Sequence, residues 1–156
     1  MMSVWILALL IGVICGLRSM TAPAVVCWGA HLGWLALAGS TVGFLARPVF
    51  LVVFTLFAIG ELIADKLPFI PRRTMIGPLA VRIVFGAICG AALAIAGHGV
   101  LSVGGVLGAV GGVLGAYAGY AYRRAASSSG RIPDLPAALL EDLVAVGGGL
   151  FLVSRF

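Results

Sequence analysis

Long apolar runs separated by short polar breaks organise this chain from end to end. The runs are Ser3–Leu17, Ala22–Ala38, Pro48–Ala64, Pro78–Gly97, Val100–Tyr122 and Ala137–Val153. The breaks between them are Arg18–Thr21, Gly39–Arg47, Asp65–Gly77, His98–Gly99 and Arg123–Pro136. No run alternates polar and apolar residues with a period of two, as a β-barrel would require. Hydrocarbon offers no water to satisfy peptide groups, so each run is predicted to be a helix. A bilayer core of about 30 Å takes about 20 helical residues. The shorter runs, 3–17 and 22–38 above all, are therefore expected to be re-entrant, tilted or extended by their flanks. The pattern predicts an all-α polytopic membrane protein of six transmembrane or re-entrant helices.

Composition agrees with that reading. Of 156 residues, 62% are hydrophobic and 10% charged, with a mean hydropathy of +1.21. An ordinary water-soluble domain carries about 25% charged residues. A single integral membrane domain, residues 1–156, accounts for the length. The ten Lys and Arg residues fall mainly in the breaks rather than along a solvated face, so a nucleic-acid partner is not expected. Arg18, Lys66, Arg72, Arg73, Arg123, Arg124 and Arg131 follow the odd-numbered runs, whereas only Arg47 and Arg155 lie on the opposite side. The positive-inside rule places the first set in the cytoplasm and both termini outside it, in the inner membrane. All five carboxylates, Glu61, Asp65, Asp134, Glu141 and Asp142, fall at or near that same cytoplasmic side. The first run lacks a basic flank ahead of it, so it reads as a retained helix rather than a cleaved signal. Cys15, Cys27 and Cys89 lie within apolar runs and read as buried thiols.

Two repetitions bear on packing. Val103–Ala109 is repeated identically as Val110–Ala116, which stacks Gly104 with Gly111, Gly108 with Gly115, and Gly105 with Gly112 and Gly119. Gly12/Gly16 and Gly86/Gly90 show the related four-residue spacing. Missing side chains let helix backbones approach closely in lipid. The glycine-rich helix 100–122 is thus expected either to pack internally or to join two copies in a homo-oligomer. The second repetition matches Arg18-Ser-Met-Thr-Ala-Pro23 to Arg73-Thr-Met-Ile-Gly-Pro78, with Arg131 and Pro136 keeping the outer spacing. Each precedes an even-numbered run, where proline suits a first helical turn. Three tandem αα-hairpins would follow from this, in the manner of parallel-repeat transporters.

Candidate chemistry gathers at the same level. Helix N-termini carry about half a positive charge and unpaired N–H groups, and Arg18, Arg73 and Arg131 adjoin three of them. With Ser19, Thr21 and Thr74 they form an anion-attracting rim. Glu61 and Asp65 share one face of the third run, and Glu141 and Asp142 open the sixth. A lone charge at the bilayer centre costs roughly 2.5–3.5 kcal/mol on insertion scales, so Arg18 and Arg82 are expected to pair with these acids. Such pairs serve either as braces or as part of an anion site with proton coupling. His31 and His98 are isolated from other ligating side chains, and His31 reads as a helix-packing residue. No constellation for nucleophilic or metal catalysis is present, so no enzyme, metal site or cofactor is expected.

The ordered segments Gly16-Leu-Arg-Ser-Met-Thr-Ala-Pro-Ala24, Glu61-x-x-x-Asp65-Lys-Leu-Pro68, Pro71-x-Arg73-Thr74, Leu79-x-x-Arg82 and Leu140-Glu-Asp-Leu143 resemble a bacterial membrane family. That family is known only as domain of unknown function 4126. The resemblance covers essentially the whole chain and implies a small multi-pass inner-membrane protein, with no catalytic assignment. The leading expectation is a cytoplasm-facing pocket binding a small anionic solute or a membrane lipid headgroup. Arg18, Ser19, Thr21, Arg73, Thr74 and Arg82 would hold the anion, and Glu61, Asp65, Glu141 and Asp142 would orient the arginines or exchange protons. A structural membrane protein whose charges are ion-pair locks is the alternative.

Overall fold

The computed structural model describes residues 3–64, 75–128 and 134–156. The described residues form six α-helices and one short 3₁₀ helix, with no strand. They are α1 Val4–Leu17, α2 Thr21–His31, α3 Pro48–Ala64, α4 Ile76–Ala96, α5 Leu101–Ser128 and α6 Asp134–Val153, with the 3₁₀ turn Gly43–Ala46 before α3. Three of them, in α4, α5 and α6, are long and apolar enough to cross a membrane, while α1 and α3 are shorter apolar helices. Large apolar side chains cover the outside: Val52, Leu56 and Phe57 on α3, Val106 and Leu114 on α5, and Leu143 on α6 are all exposed. An apolar surface that wide is what a lipid-facing exterior requires.

The predicted second run is the main departure. Its helix stops at His31 after 11 residues, about 16 Å, instead of continuing to Ala38. A Schellman turn ends it. Gly33 takes the left-handed conformation at φ 79°, its N–H donates to Ala30 O, and Trp34 N–H donates to Gly29 O. The chain then folds back, burying Leu35 and Leu37. Hydropathy does not distinguish a helix from an apolar segment that doubles back over a core. His31 stands exposed at the end of α2, edge-on to Trp28, rather than packed between helices.

Packing centres on α5, which is joined most closely to α4 and α1. Gly104, Gly108 and Gly112 face α4, and Gly108, Gly111 and Gly115 face α1. A Cβ on Gly86 would lie 2.6 Å from the Gly108 carbonyl oxygen, and one on Gly112 would lie 2.7 Å from that of Arg82. No side chain fits at such an approach, so the backbones themselves are in contact. Helices α2, α3 and α6 pack around this trio, and the neighbours in the expected hairpins touch less extensively than α4 with α5. A run of aromatic contacts, Phe44–Phe50–Phe54–Phe85, ties the 3₁₀ turn and α3 to α4 at centroid distances of 5.2, 6.1 and 5.6 Å.

The prolines of the three motifs occupy equivalent places. Pro23, Pro78 and Pro136 are each the third residue of their helix, and Met20 and Met75 are the N-caps of α2 and α4. At the other end of the molecule, a Cβ on Gly97 would lie 3.1 Å from the Phe156 ring, and one on Gly99 would lie 3.0 Å from Trp5. Both ends of the described chain and the α4–α5 turn therefore share one end. Since each helix reverses direction, Arg18, Glu61, Arg82, Arg123, Glu141 and Asp142 collect at the opposite one.

Candidate functional site

Arg18 leaves α1 in an extended conformation, φ −139° and ψ 110°, which turns the chain abruptly toward α2. Its side chain is 1% exposed and forms an ion pair with Asp142 of α6. The next two residues act through their backbones. Ser19 N–H donates to Glu61 Oε1 and Met20 N–H donates to Glu61 Oε2, each at 2.8 Å. One carboxylate from the last turn of α3 is thus gripped in two-point fashion at the start of α2. There, unsatisfied N–H groups and the helix dipole favour negative charge.

Arg82 joins from α4. It is buried, with Nη2 3.9 Å from Glu61 Oε1. The Cys15 thiol of α1 lies between the Ser19 segment and α4, approaching Ser19 O at 3.4 Å and Arg82 O at 3.5 Å as donor. On the other side of α6, Arg123 Nε of α5 donates to Glu141 Oε2 at 3.1 Å, with Glu141 itself buried. Every one of the six α-helices contributes to this charged end. The acids and arginines compensate one another in a low-dielectric setting, as buried charge demands.

Of the sequence-selected residues, Arg18, Ser19, Arg82, Glu61, Glu141 and Asp142 come together here. Thr21 sits one step along α2, buried, and turns toward a separate apolar cavity. Asp65, Arg73 and Thr74 lie outside the described residues, as do Lys66, Arg72 and Arg131. The sequence points to the hydroxyl of Ser19, yet its backbone N–H makes the bond to Glu61. The sequence marks Arg123 only as loop charge; its partner Glu141 lies 18 residues away, and nothing in local spacing indicates that contact. Cys15 is the buried thiol that its apolar run predicts, but neither its contacts nor the role of the Met20 N–H has a signal in the sequence.

Two apolar-walled cavities flank α6 beside the charges. One, of about 230 Å³, lies between α1, α5 and α6, with Leu17, Tyr122 and Leu140 in its walls and Glu141 at its edge. The other, of about 340 Å³, lies between α2, α3 and α6 and reaches from Thr21 and Leu62 to Trp28 and Leu150.

The family model of a domain of unknown function (DUF4126) matches residues 5–154. The chain belongs to this family. No curated protein and no solved structure matches it. A membrane-like helical protein of an uncharacterised family, with charge concentrated at one end, is the common ground of sequence, fold and comparison.

Proposed function

We propose that the protein is a multi-pass inner-membrane protein that binds an anionic group, a lipid headgroup or a small anionic solute, at its charged end. Transport or lipid translocation is the use this serves. The observation that carries the proposal is the two-point grip of Ser19 and Met20 N–H on Glu61, with Arg82 beside it. That is a ready-made anion cradle, occupied by a carboxylate of the protein's own. An incoming phosphate or carboxylate would compete with Glu61 for the same donors, and Glu61 would leave by protonation or by displacement. The apolar walls next to the cluster favour an amphiphile over a freely soluble ion. Positive-inside bias puts this end in the cytoplasm. No step of this reading is catalytic.

The test is binding of an anionic lipid or anion to purified protein, read by thermal shift or flux. Arg82→Ala is expected to insert yet lose binding, and Glu61→Gln, which keeps the size of the side chain, to alter it. Both variants binding like the parent would refute the site.

A second reading is favoured by Arg18, whose burial against Asp142 leaves its guanidinium little access to a ligand. In that reading the charges are locks, and the protein has a structural or assembly role. A second copy would then meet α5 along Val103, Val106 and Val110, which are exposed, because the glycines named above are taken up by α1 and α4. Val106→Arg abolishing an oligomer while leaving anion binding intact would support it.

A further inference from the structure

The cavity between α2, α3 and α6 has an order to its walls. Its lining positions on α2 run from Thr21 to Trp28 at spacings of three, four and seven, and those on α3 run from Thr55 to Leu62 at the same spacings. Each set is one continuous face of its helix, and Val146 and Leu150 of α6 complete the enclosure. Seven residues of helix give a trough about 10 Å long. Trp28 Nε1 donates to Thr55 Oγ1 at 3.2 Å and bridges α2 and α3 at the end of the trough away from the charges. At the charged end, Leu62 follows Glu61 and Thr21 follows the Ser19–Met20 clamp. Between the two ends the walls are apolar.

Thr21 supplies the decisive detail. The residue is 3% exposed, it lines the trough, and its hydroxyl has no hydrogen-bond partner among the described residues. Buried hydroxyls in native proteins are nearly always paired, so one left over at the wall of a cavity marks a place for a polar atom from elsewhere. The order is therefore anion cradle, single hydroxyl, apolar trough, Trp28–Thr55 bridge. A phospholipid has the same order: anionic headgroup, ester, acyl chain.

We infer that the trough between α2 and α3 holds one acyl chain of an anionic glycerophospholipid, whose ester carbonyl accepts a hydrogen bond from the Thr21 hydroxyl. The inference rests on the anion-binding reading above and names its ligand class. The Thr55 hydroxyl is already committed, accepting from Trp28 and donating to Leu51 O at 2.6 Å, so Thr21 is the polar anchor and Thr55 part of the bridge.

The experiment uses the full chain in nanodiscs containing phosphatidylglycerol with a photoreactive group midway along one acyl chain. Cross-links are expected on the trough faces of α2 and α3. Ile59→Phe, at a half-exposed lining position, is expected to remove that labelling without unfolding, and Ala58→Phe to do the same from a buried one. Thr21→Val should weaken labelling about three- to tenfold, the value of one hydrogen bond. Labelling spread evenly over the lipid-facing surface, or unchanged in both Phe variants, overturns the inference. So does an oligomer that Ile59→Phe dissociates while labelling persists, since the trough would then seat a second copy. Glycerol 3-phosphate, which has no chain, separates the two readings. Its failure to bind the parent would end the headgroup reading, whereas the cross-links judge the trough alone. Binding of it to parent and Ile59→Phe alike is the expected result.

Discussion

Arg18 ends α1 with its guanidinium buried against Asp142, so neither residue stands as a solvated charge. Removing one member of a buried pair strands the other, at a cost of about 3–5 kcal/mol. Arg18→Ala is therefore expected to lower thermal stability severely, and Arg18→Ala with Asp142→Ala together less than either alone. A double-mutant cycle on detergent-solubilised protein measures that difference. His98 offers the opposite case. It holds φ 58° in the turn after α4, where Gly99 N–H donates to Ala94 O at 2.7 Å. A left-handed residue with a Cβ costs roughly 1–2 kcal/mol, so His98→Gly should raise the melting temperature. Thermal unfolding of that variant beside the parent checks it.

At the scale of elements, glycine counts matter less than where each glycine points. Gly108 and Gly105 belong to the same repeat unit, yet a Cβ on Gly108 would stand 2.9 Å from both the Gly86 carbonyl carbon and the Gly90 Cα, whereas one on Gly105 would find its nearest atom at 3.7 Å. Gly108→Ala should destabilise the protein by about 1–3 kcal/mol through overpacking, and Gly105→Ala should not. Equal thermal shifts for the two would contradict the packing of α5 described above. Helix bounds were legible where hydropathy and punctuation agree. Pro48–Ala64 is both the predicted run and α3, because proline at the start and charge at the end punctuate the same segment. The second run departs from its predicted bounds because hydropathy runs on through Gly33, which makes a left-handed stop two residues beyond the last helical residue.

At the scale of the whole molecule, the buried charges gather at one end, and the orientation proposed from the positive-inside rule puts that end in the cytoplasm. A reporter fused after Phe156 is expected to be active only outside the cytoplasm, and cytoplasmic activity would reverse the orientation. The chain alone determined an all-α membrane-type protein, the level at which its charges lie and the family to which it belongs. Those properties are sums over neighbours in sequence: runs of apolar transfer energy, punctuation by proline and glycine, and the sign of the intervening residues. Only the tertiary structure decided that Arg18 takes Asp142, that Glu61 takes the start of α2, and that Arg123 reaches Glu141. It also decided that Thr21 is left facing a trough. Such partnerships depend on how far each helix is rotated about its axis and where backbones cross. Both are set by the glycine contacts among α1, α4 and α5, between residues as far apart in the chain as Gly12 and Gly108.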